Sequence, residues 1–262
     1  MQISEILECR YLRLTPMSLE RMVEAKDISK KDVRSAIRSM VSKGTLRYTH
    51  HFNTTHLELN FHRPFQVSKR IILSPNSFKP VLGHRQILIR LEQGDAFGAG
   101  DHPTTRLSLR GLDVLMEHLK NTNETVAIKV LDIGTGSGIL IIAAILLGAE
   151  KGWAVDIDPV ALYEAEKNIC INSLKNRIHL TSGAPDDQHA SAFKIVMANL
   201  RPPTLKALTP MMMKVSDYPA YWILSGFREG EFNSLIKAMI PQKTTLFWHE
   251  VSCAWMAVVL KI

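Results

Sequence analysis

A glycine-rich turn between two apolar runs constrains the fold of this chain more than any other feature. The first run, IKVL, is strand-like and leads to Asp132, while the second, ILIIAAILL, has the length and composition of a buried helix. Between them, Gly134, Gly136 and Gly138 permit a tight turn and a close approach of the backbone to a ligand, because no Cβ stands in the way. The segment therefore predicts a strand, a ligand-binding turn and a helix.

A second acidic residue, Asp156, ends the next strand-like run, WAVDI, about one βα unit further along the chain. A carboxylate at this place can accept hydrogen bonds from both ribose hydroxyls of a nucleoside. The turn GTGSG departs from the dinucleotide spacing G-x-G-x-x-G, because its third glycine comes one residue early. Turn and carboxylate together predict a nucleoside-containing cofactor.

Strand-like and helix-like runs alternate from residue 85 to residue 262. The strand-like runs are ILIRL, AIKVLDI, WAVDI, RIHLT, KIVMANL, AYWILSG, TTLFWHE and AWMAVVLKI. Helix-like segments separate them, except between RIHLT and KIVMANL and between the last two. Such alternation indicates a mainly parallel sheet covered on both faces, and the last two runs indicate an antiparallel edge hairpin. We predict an α/β fold with a Rossmann-like sheet.

Two further segments narrow the family. GDAFGAGDHPTTRLSL precedes the glycine turn, and MANL ends the fourth strand of the core at Asn199 and Leu200. With the glycine turn and the run DIDPVAL, they resemble the ribosomal protein L11 methyltransferase family of class I S-adenosylmethionine-dependent methyltransferases, whose related pattern is F-G-T-G-x-H-x-T-T. The resemblance covers roughly residues 85–262.

This resemblance implies roles for individual residues. Asn199, with the carbonyl of Leu200, would accept N–H hydrogens of the methyl acceptor, which favours methylation of nitrogen. Phe97, Gly98 and Gly100 would cover S-adenosylmethionine. The predicted cofactor-binding residues are Phe97, Gly98, Thr105, Asp132, Gly134, Gly136, Asp156 and Asn199.

Some of these residues have simpler interpretations. Thr104 or Thr105 could cap a helix, and Asn199 could cap a strand end. His102, which precedes a proline, is either a loop organiser or a catalytic base. The chain also departs from the family pattern in residues that concern the acceptor more than the cofactor: Ala99 replaces a threonine, and Arg201, Pro202 and Pro203 follow Asn199.

Residues 1–62 have a different pattern, which resembles a winged helix, where the family has a ferredoxin-like domain. A first helix is expected near residues 3–12, and Ser29 with Asp32 indicates the start of the helix KKDVRSAIRSMVSKG. TLRYTHH and THLELN then predict a hairpin. Residues 63–84, rich in proline, predict a linker with one short strand, so the predicted domains are 1–62 and 85–262.

The excess positive charge lies in the first third of the chain. The net charge is +7, and residues 1–92 hold 16 Lys and Arg against 8 Asp and Glu. This asymmetry indicates either an acidic partner, such as RNA, DNA or a ribonucleoprotein, or simply a solvated basic surface. The second predicted helix carries Lys30, Lys31, Arg34 and Arg38, where a nucleic-acid binder would present its recognition surface.

Several classes of protein are disfavoured by the sequence. The three cysteines, Cys9, Cys170 and Cys253, lack metal-ligand spacing and fit a reducing, cytoplasmic setting without a metal site. The N-terminus does not resemble a signal or transit peptide, and the longest apolar run is too short to cross a bilayer.

Three functions remain open at this point. The first is a protein N-methyltransferase acting on a lysine or an α-amine, with a ribosomal protein or ribonucleoprotein as partner. The second is an RNA or DNA N-methyltransferase with a basic nucleic-acid-binding domain. The third is a DNA-binding regulator that senses the cofactor without transferring its methyl group.

Overall fold

The computed structural model describes residues 29–44, 46–51, 54–60, 63–92, 98, 100–122, 127–183, 192–239 and 244–262. The chain forms two compact units, with the division between Phe65 and Gln66. The helix expected near residues 3–12 lies outside the described residues.

The N-terminal unit contains one described helix and one hairpin. Helix α1 (Lys30–Ser42) begins as predicted, because the Ser29 side chain accepts a hydrogen bond from the backbone of Asp32. Its apolar face buries Val33 and Ile37. Strands β1 (Leu46–His51) and β2 (Thr54–Leu59) pair antiparallel, as the sequence predicted. The winged-helix arrangement as a whole stays a prediction, since its first helix is not described.

The second unit is built on a seven-stranded sheet. Its strands are β6 (Lys129–Ile133), β7 (Lys151–Asp156), β8 (Ile178–Ser182), β9 (Phe193–Asn199), β10 (Ser216–Arg228), β11 (Thr245–Ser252) and β12 (Trp255–Lys261). The spatial order is β11-β12-β10-β9-β6-β7-β8, parallel from β10 to β8 and antiparallel where β12 pairs with β10 and β11. The predicted parallel sheet and antiparallel edge hairpin are therefore confirmed.

Helices alternate with these strands. They are α2 (Pro103–Asn121), α3 (Ile139–Leu146), α4 (Pro159–Ile171), α5 (Pro202–Val215) and α6 (Phe232–Met239), the last preceded by a 3-10 turn at Glu229–Glu231. Buried side chains of the central strands, including Leu131, Val196 and Trp222, pack with Leu205 of α5 and Leu235 of α6. This burial stabilises the sheet whose strand ends carry the predicted site.

A small three-stranded sheet precedes the large one. It contains β3 (Phe65–Gln66), β4 (Ile71–Pro75) and β5 (Ile87–Leu91), with β4 and β5 parallel. The predicted linker 63–84 thus carries strands β3 and β4, and from Gln66 onward it belongs to the second unit. Arg70, 9% exposed, holds it there through an ion pair of 2.6 Å to Asp113 of α2. A pairing across 43 residues leaves no local pattern in the sequence.

Candidate cofactor and active site

The glycine turn connects the carboxyl end of β6 to α3. Gly134, Gly136 and Gly138 have φ values of +70°, +54° and +79°, which side chains rarely tolerate. The backbone N–H groups of Gly134 and Thr135 both donate to the carbonyl of Val155 in β7, at 2.9 and 3.0 Å. The turn is therefore fixed to the neighbouring strand.

Asp156 lies at the carboxyl end of β7, directly beside this turn. Its Oδ2 accepts the N–H of Gly136 at 2.9 Å, and its Oδ1 accepts the N–H of Asp158 at 3.0 Å. Each carboxylate oxygen can accept a further hydrogen bond, so the group can still receive ribose hydroxyls. The adjacent Ile157 is 87% exposed and adds an apolar surface that the motifs had not indicated.

Asp132 is the most deeply buried carboxyl group of the site, at 1% exposure. Burial raises its pKa to about 7, against the hydrogen bond of 2.7 Å that it accepts from the hydroxyl of Thr135. The backbone N–H of Ile141 also lowers this pKa, although Oδ1 has no partner of normal hydrogen-bond geometry among the described residues. The group can therefore exist in both protonation states near neutral pH.

The amino end of α2 is organised by His102 and not by either threonine. His102 is the N-cap, and its Nδ1 accepts the N–H of Thr104 at 3.2 Å and lies 2.6 Å from the Thr104 hydroxyl. Burial lowers the pKa of His102, partly offset by the nearby Asp101. A neutral ring suits this role, because Nδ1 needs a lone pair to accept these bonds. These contacts support the loop-organising interpretation of His102.

Thr105 is left without a capping role. It is 1% exposed, and its hydroxyl oxygen has no hydrogen-bond partner among the described residues. A buried hydroxyl without a partner is costly, so a ligand that bonds to it would relieve the cost. Thr105 is therefore available for the binding role that the resemblance implies.

Asn199 is the last residue of β9, as the sequence predicted. Its side-chain oxygen Oδ1 is buried, and the described residues supply no donor to it. The next residue, Leu200, donates its N–H to the carbonyl of Ser225 in β10 at 3.0 Å. These strand ends therefore present acceptor groups at the same edge of the sheet as the glycine turn.

The Leu200 side chain brings the two parts of the site together. A Cβ added to Gly134 would lie 2.6 Å from the Cδ2 atom of Leu200. On the other side, Gly226, with φ +94°, approaches the Leu200 backbone so closely that a Cβ would lie 2.3 Å from the carbonyl oxygen. Sequence reasoning missed Gly226, although the Ser-Gly step that interrupts an apolar strand was the available indication.

Gly98 is buried, and its carbonyl accepts a hydrogen bond of 2.8 Å from the hydroxyl of Ser137 in the glycine turn. Phe97, the other residue predicted to cover the cofactor, lies outside the described residues. Gly98 therefore contacts the turn, and its role in covering the cofactor stays a prediction.

Other side chains, near the carboxyl end of β10 and the amino end of β12, also escaped prediction. The ring of Trp255 lies 5.1 Å from that of His102, edge to face, and the guanidinium of Arg228 lies 3.8 Å above the Trp255 ring. Their positions, more than 120 residues from His102 in the chain, carried no local pattern. They place aromatic and cationic groups beside the amino end of α2.

The described residues contain no cluster of His, Cys, Asp or Glu able to hold a metal ion. Within the same ranges, no helix has the length and hydropathy needed to span a bilayer. The basic helix α1, with Lys31, Arg34 and Arg38 exposed, belongs to the other unit.

The chain resembles several characterised sequences. It is 37% identical over 179 residues to the ribosomal protein L11 methyltransferase of Haemophilus ducreyi, covering 68% of this chain and 57% of that relative. It is 31% identical over 201 residues to the enzyme of the same name from Streptococcus pyogenes, covering 77% of this chain and 61% of the relative. The chain thus spans about three fifths of the length of the curated relatives it matches.

A solved structure agrees with these sequence relationships. The ribosomal protein L11 methylase from Lactobacillus delbrueckii subsp. bulgaricus superposes with a TM-score of 0.63 at 26% identity, covering 76% of this chain and 98% of that one. The family model for ribosomal protein L11 methyltransferase (PrmA) matches residues 22–262. Motifs, fold and family model thus agree, and the chain belongs to the ribosomal protein L11 methyltransferase family.

Proposed function

We propose that the protein is an S-adenosylmethionine-dependent N-methyltransferase that acts on a lysine or an α-amine of a protein. The observation that carries this proposal is the buried Oδ1 of Asn199, which has no donor among the described residues at the sheet edge where the glycine turn lies. An acceptor of this kind suits an N–H group of a substrate amine.

The cofactor half of the site supports S-adenosylmethionine. Asp156 would bind the ribose hydroxyls, and the exposed side chain of Ile157 offers an apolar surface beside it. Thr105, with its unpartnered hydroxyl, would bind the methionine carboxylate. Asp132, Gly134 and Gly136 would line the cofactor site on the side of the turn. S-adenosylmethionine supplies an electrophilic methyl group on a sulfonium when bound.

The acceptor half has to hold a neutral amine with its lone pair in line with that methyl group. Asn199 Oδ1 and the Leu200 carbonyl would accept the two amine hydrogens and so orient the lone pair. Gly98, and Phe97 with it, would exclude water from the sulfonium. This arrangement requires no metal, and the thioether leaves without protonation.

The N-terminal unit is the place where we expect the target to dock. The relatives' name makes ribosomal protein L11 the first candidate substrate. Lys30, Lys31, Arg34 and Arg38 lie on α1, where Val33 and Ile37 are buried and the side chains of Lys31, Arg34 and Arg38 are exposed. This face suits an acidic surface of a protein or ribonucleoprotein, and the thiols Cys170 and Cys253 fit a cytoplasmic setting.

Transfer of labelled methyl groups into a cell lysate tests the proposal against its two rivals. The lysate is incubated with the enzyme and labelled S-adenosylmethionine, and then divided between protease and nuclease digestion. We expect protease to release the label and nuclease to leave it, with a ribosomal protein among the labelled species. Label released by nuclease would identify a nucleic-acid methyltransferase. Tight cofactor binding without any transfer would identify a sensor.

The basic helix can be tested within the same assay. Replacing Lys31 and Arg38 by alanine should raise KM for the protein acceptor several-fold while cofactor affinity stays unchanged, because both side chains lie in the N-terminal unit. A strong dependence of acceptor binding on salt, lost in the variant, would show that this face acts through charge. Unchanged KM would exclude α1 from docking.

A further inference from the structure

A buried asparagine on α4 is hydrogen-bonded both to the glycine turn and to the segment that follows β5. Asn168 is 2% exposed, and its side-chain amide makes two hydrogen bonds to backbone groups that are distant in sequence. Its Nδ2 donates to the carbonyl of Ser137 in the glycine turn at 2.9 Å, and its Oδ1 accepts the N–H of Glu92 at 2.9 Å. One side chain thus bonds to the turn and to the chain just beyond β5.

Ser137 extends this connection to Gly98. The Ser137 hydroxyl donates to the Gly98 carbonyl at 2.8 Å, and Ser137 is itself 3% exposed. On its other side in the chain, Gly136 donates its N–H to Asp156. The amide of Asn168 is therefore linked to Gly98 by two successive hydrogen bonds through Ser137. The same turn also bonds to Asp156, the carboxylate proposed to bind the ribose.

The fit between α4 and the turn is close at this point. A Cβ added to Gly138 would lie 3.3 Å from the Cα of Ala165. Ala165 is three residues before Asn168 on α4. Ala165 and Asn168 thus lie on the face of α4 that packs against the turn. Because the interior is close-packed here, the direction of the Asn168 amide fixes where the Ser137 carbonyl lies.

The amide satisfies both partners at this position without a change of protonation. The Glu92 N–H requires an acceptor, and the Ser137 carbonyl requires a donor. We propose that Asn168 is a positioning residue, which sets the glycine turn and Gly98 at the separation that the cofactor needs without touching the cofactor itself. This inference rests on the proposed function, since it assumes that the turn binds S-adenosylmethionine.

Asn172 provides a matched control one helical turn later. Its Oδ1 accepts the N–H of Arg90 at 3.0 Å and its Nδ2 donates to the Arg90 carbonyl at 2.7 Å, so it holds β5 in the same manner. Its Nδ2 also donates to the backbone carbonyl of Asn168 at 2.8 Å, and within the described residues it makes no hydrogen bond to the glycine turn. Asn168→Asp and Asn172→Asp are the same chemical change, the first on α4 and the second at the C-cap of that helix, and each keeps its acceptor while losing its donor.

The experiment measures the affinity of each variant for S-adenosylhomocysteine by calorimetry, together with its thermal unfolding. We expect Asn168→Asp to raise the dissociation constant by about tenfold or more, because a carboxylate would face the Ser137 carbonyl oxygen. Asn172→Asp should lower the unfolding temperature and leave the dissociation constant unchanged. In turnover assays, Asn168→Asp should raise KM for S-adenosylmethionine and leave kcat at saturation close to that of the wild type.

Two results would overturn the inference while leaving the proposed function intact. One is an unchanged dissociation constant in Asn168→Asp, and the other is an equal loss of affinity in Asn172→Asp. Failure of the wild-type protein to bind S-adenosylhomocysteine would instead overturn the proposed function, and the inference with it. If Asn168→Asp does not fold, Asn168→Ser takes its place, since a short hydroxyl cannot bridge both partners and carries no charge.

Discussion

Two sets of polar groups in the site differ in how far the protein itself satisfies them. The glycine turn and Asp156 are held by hydrogen bonds within the chain, to Val155, Gly136 and Asp158. The buried oxygens of Thr105 on α2 and Asn199 on β9, like Oδ1 of Asp132, have no partner among the described residues.

This difference indicates two kinds of binding. A carboxylate that is already held by backbone donors needs little rearrangement when a ligand arrives, so it contributes mainly to affinity. A buried oxygen without a donor costs free energy until a ligand supplies one. The first kind of group is preorganised, and the second is completed by its ligand. Four substitutions test this contrast.

The largest effect is expected from Asp156→Ala. It removes the acceptor for both ribose hydroxyls and releases the N–H of Gly136, so we expect affinity for S-adenosylhomocysteine to fall by about a thousandfold. The protein should remain folded, because Asp156 lies at the carboxyl end of β7 and outside the hydrophobic core. Calorimetry and circular dichroism together check this, and unchanged affinity would remove Asp156 from the site.

Asn199→Ala should act on turnover instead of binding. Without its side-chain oxygen the amine is less well oriented, and we expect kcat to fall by about a hundredfold. Affinity for S-adenosylhomocysteine should change far less, because the ribose contacts remain. Methyl transfer at saturating cofactor measures the first quantity. Equal losses of kcat and affinity would contradict the division of the site into two halves.

Asp132→Asn should change how the free energy of unfolding depends on pH, because it removes the ionisable carboxyl group buried in the cofactor half. The pKa of Asp132 is raised to about 7, above its value of about 3.9 in an unfolded chain. The folded protein therefore binds this proton more tightly than the unfolded chain, and the associated stability is lost as the pH rises toward 7. Between pH 5 and pH 7 the wild type should lose about 2 kcal/mol of unfolding free energy relative to the variant.

Urea denaturation at several pH values measures this difference. The asparagine can still accept the Thr135 hydroxyl, so it serves as its own structural control. Parallel pH profiles for the two proteins would show that the carboxyl group titrates normally.

Thr105→Val should give the smallest effects, and they should have opposite signs. Valine keeps the shape of the side chain but lacks the unpartnered hydroxyl, so the free energy of unfolding should stay the same or increase. Affinity for the cofactor should fall by about tenfold, because one hydrogen bond to the methionine carboxylate is lost. A destabilised variant would show that the hydroxyl has a partner within the protein.

The sequence predicted the cofactor half more completely than the acceptor half. Glycines at 134, 136 and 138 and the carboxylate at 156 follow strands in a fixed local order, and the turn needs positive φ values that glycine provides. Their positions could therefore be predicted from the sequence without knowledge of the fold. The helix-capping role of His102, the close approach of Gly226 to Leu200 and the bridge made by Asn168 join residues from different elements.

The same distinction applies to the whole molecule. Alternating strand-like and helix-like runs determined the α/β class and the antiparallel edge hairpin, because periodicity is a local property of the chain. Tertiary structure decided that Gln66 onward belongs with the second unit, through the buried pair of Arg70 and Asp113. It also decided that Thr105 is left for a ligand. Burial and hydrogen-bond partners depend on residues far apart in the chain, and only packing brings those residues together.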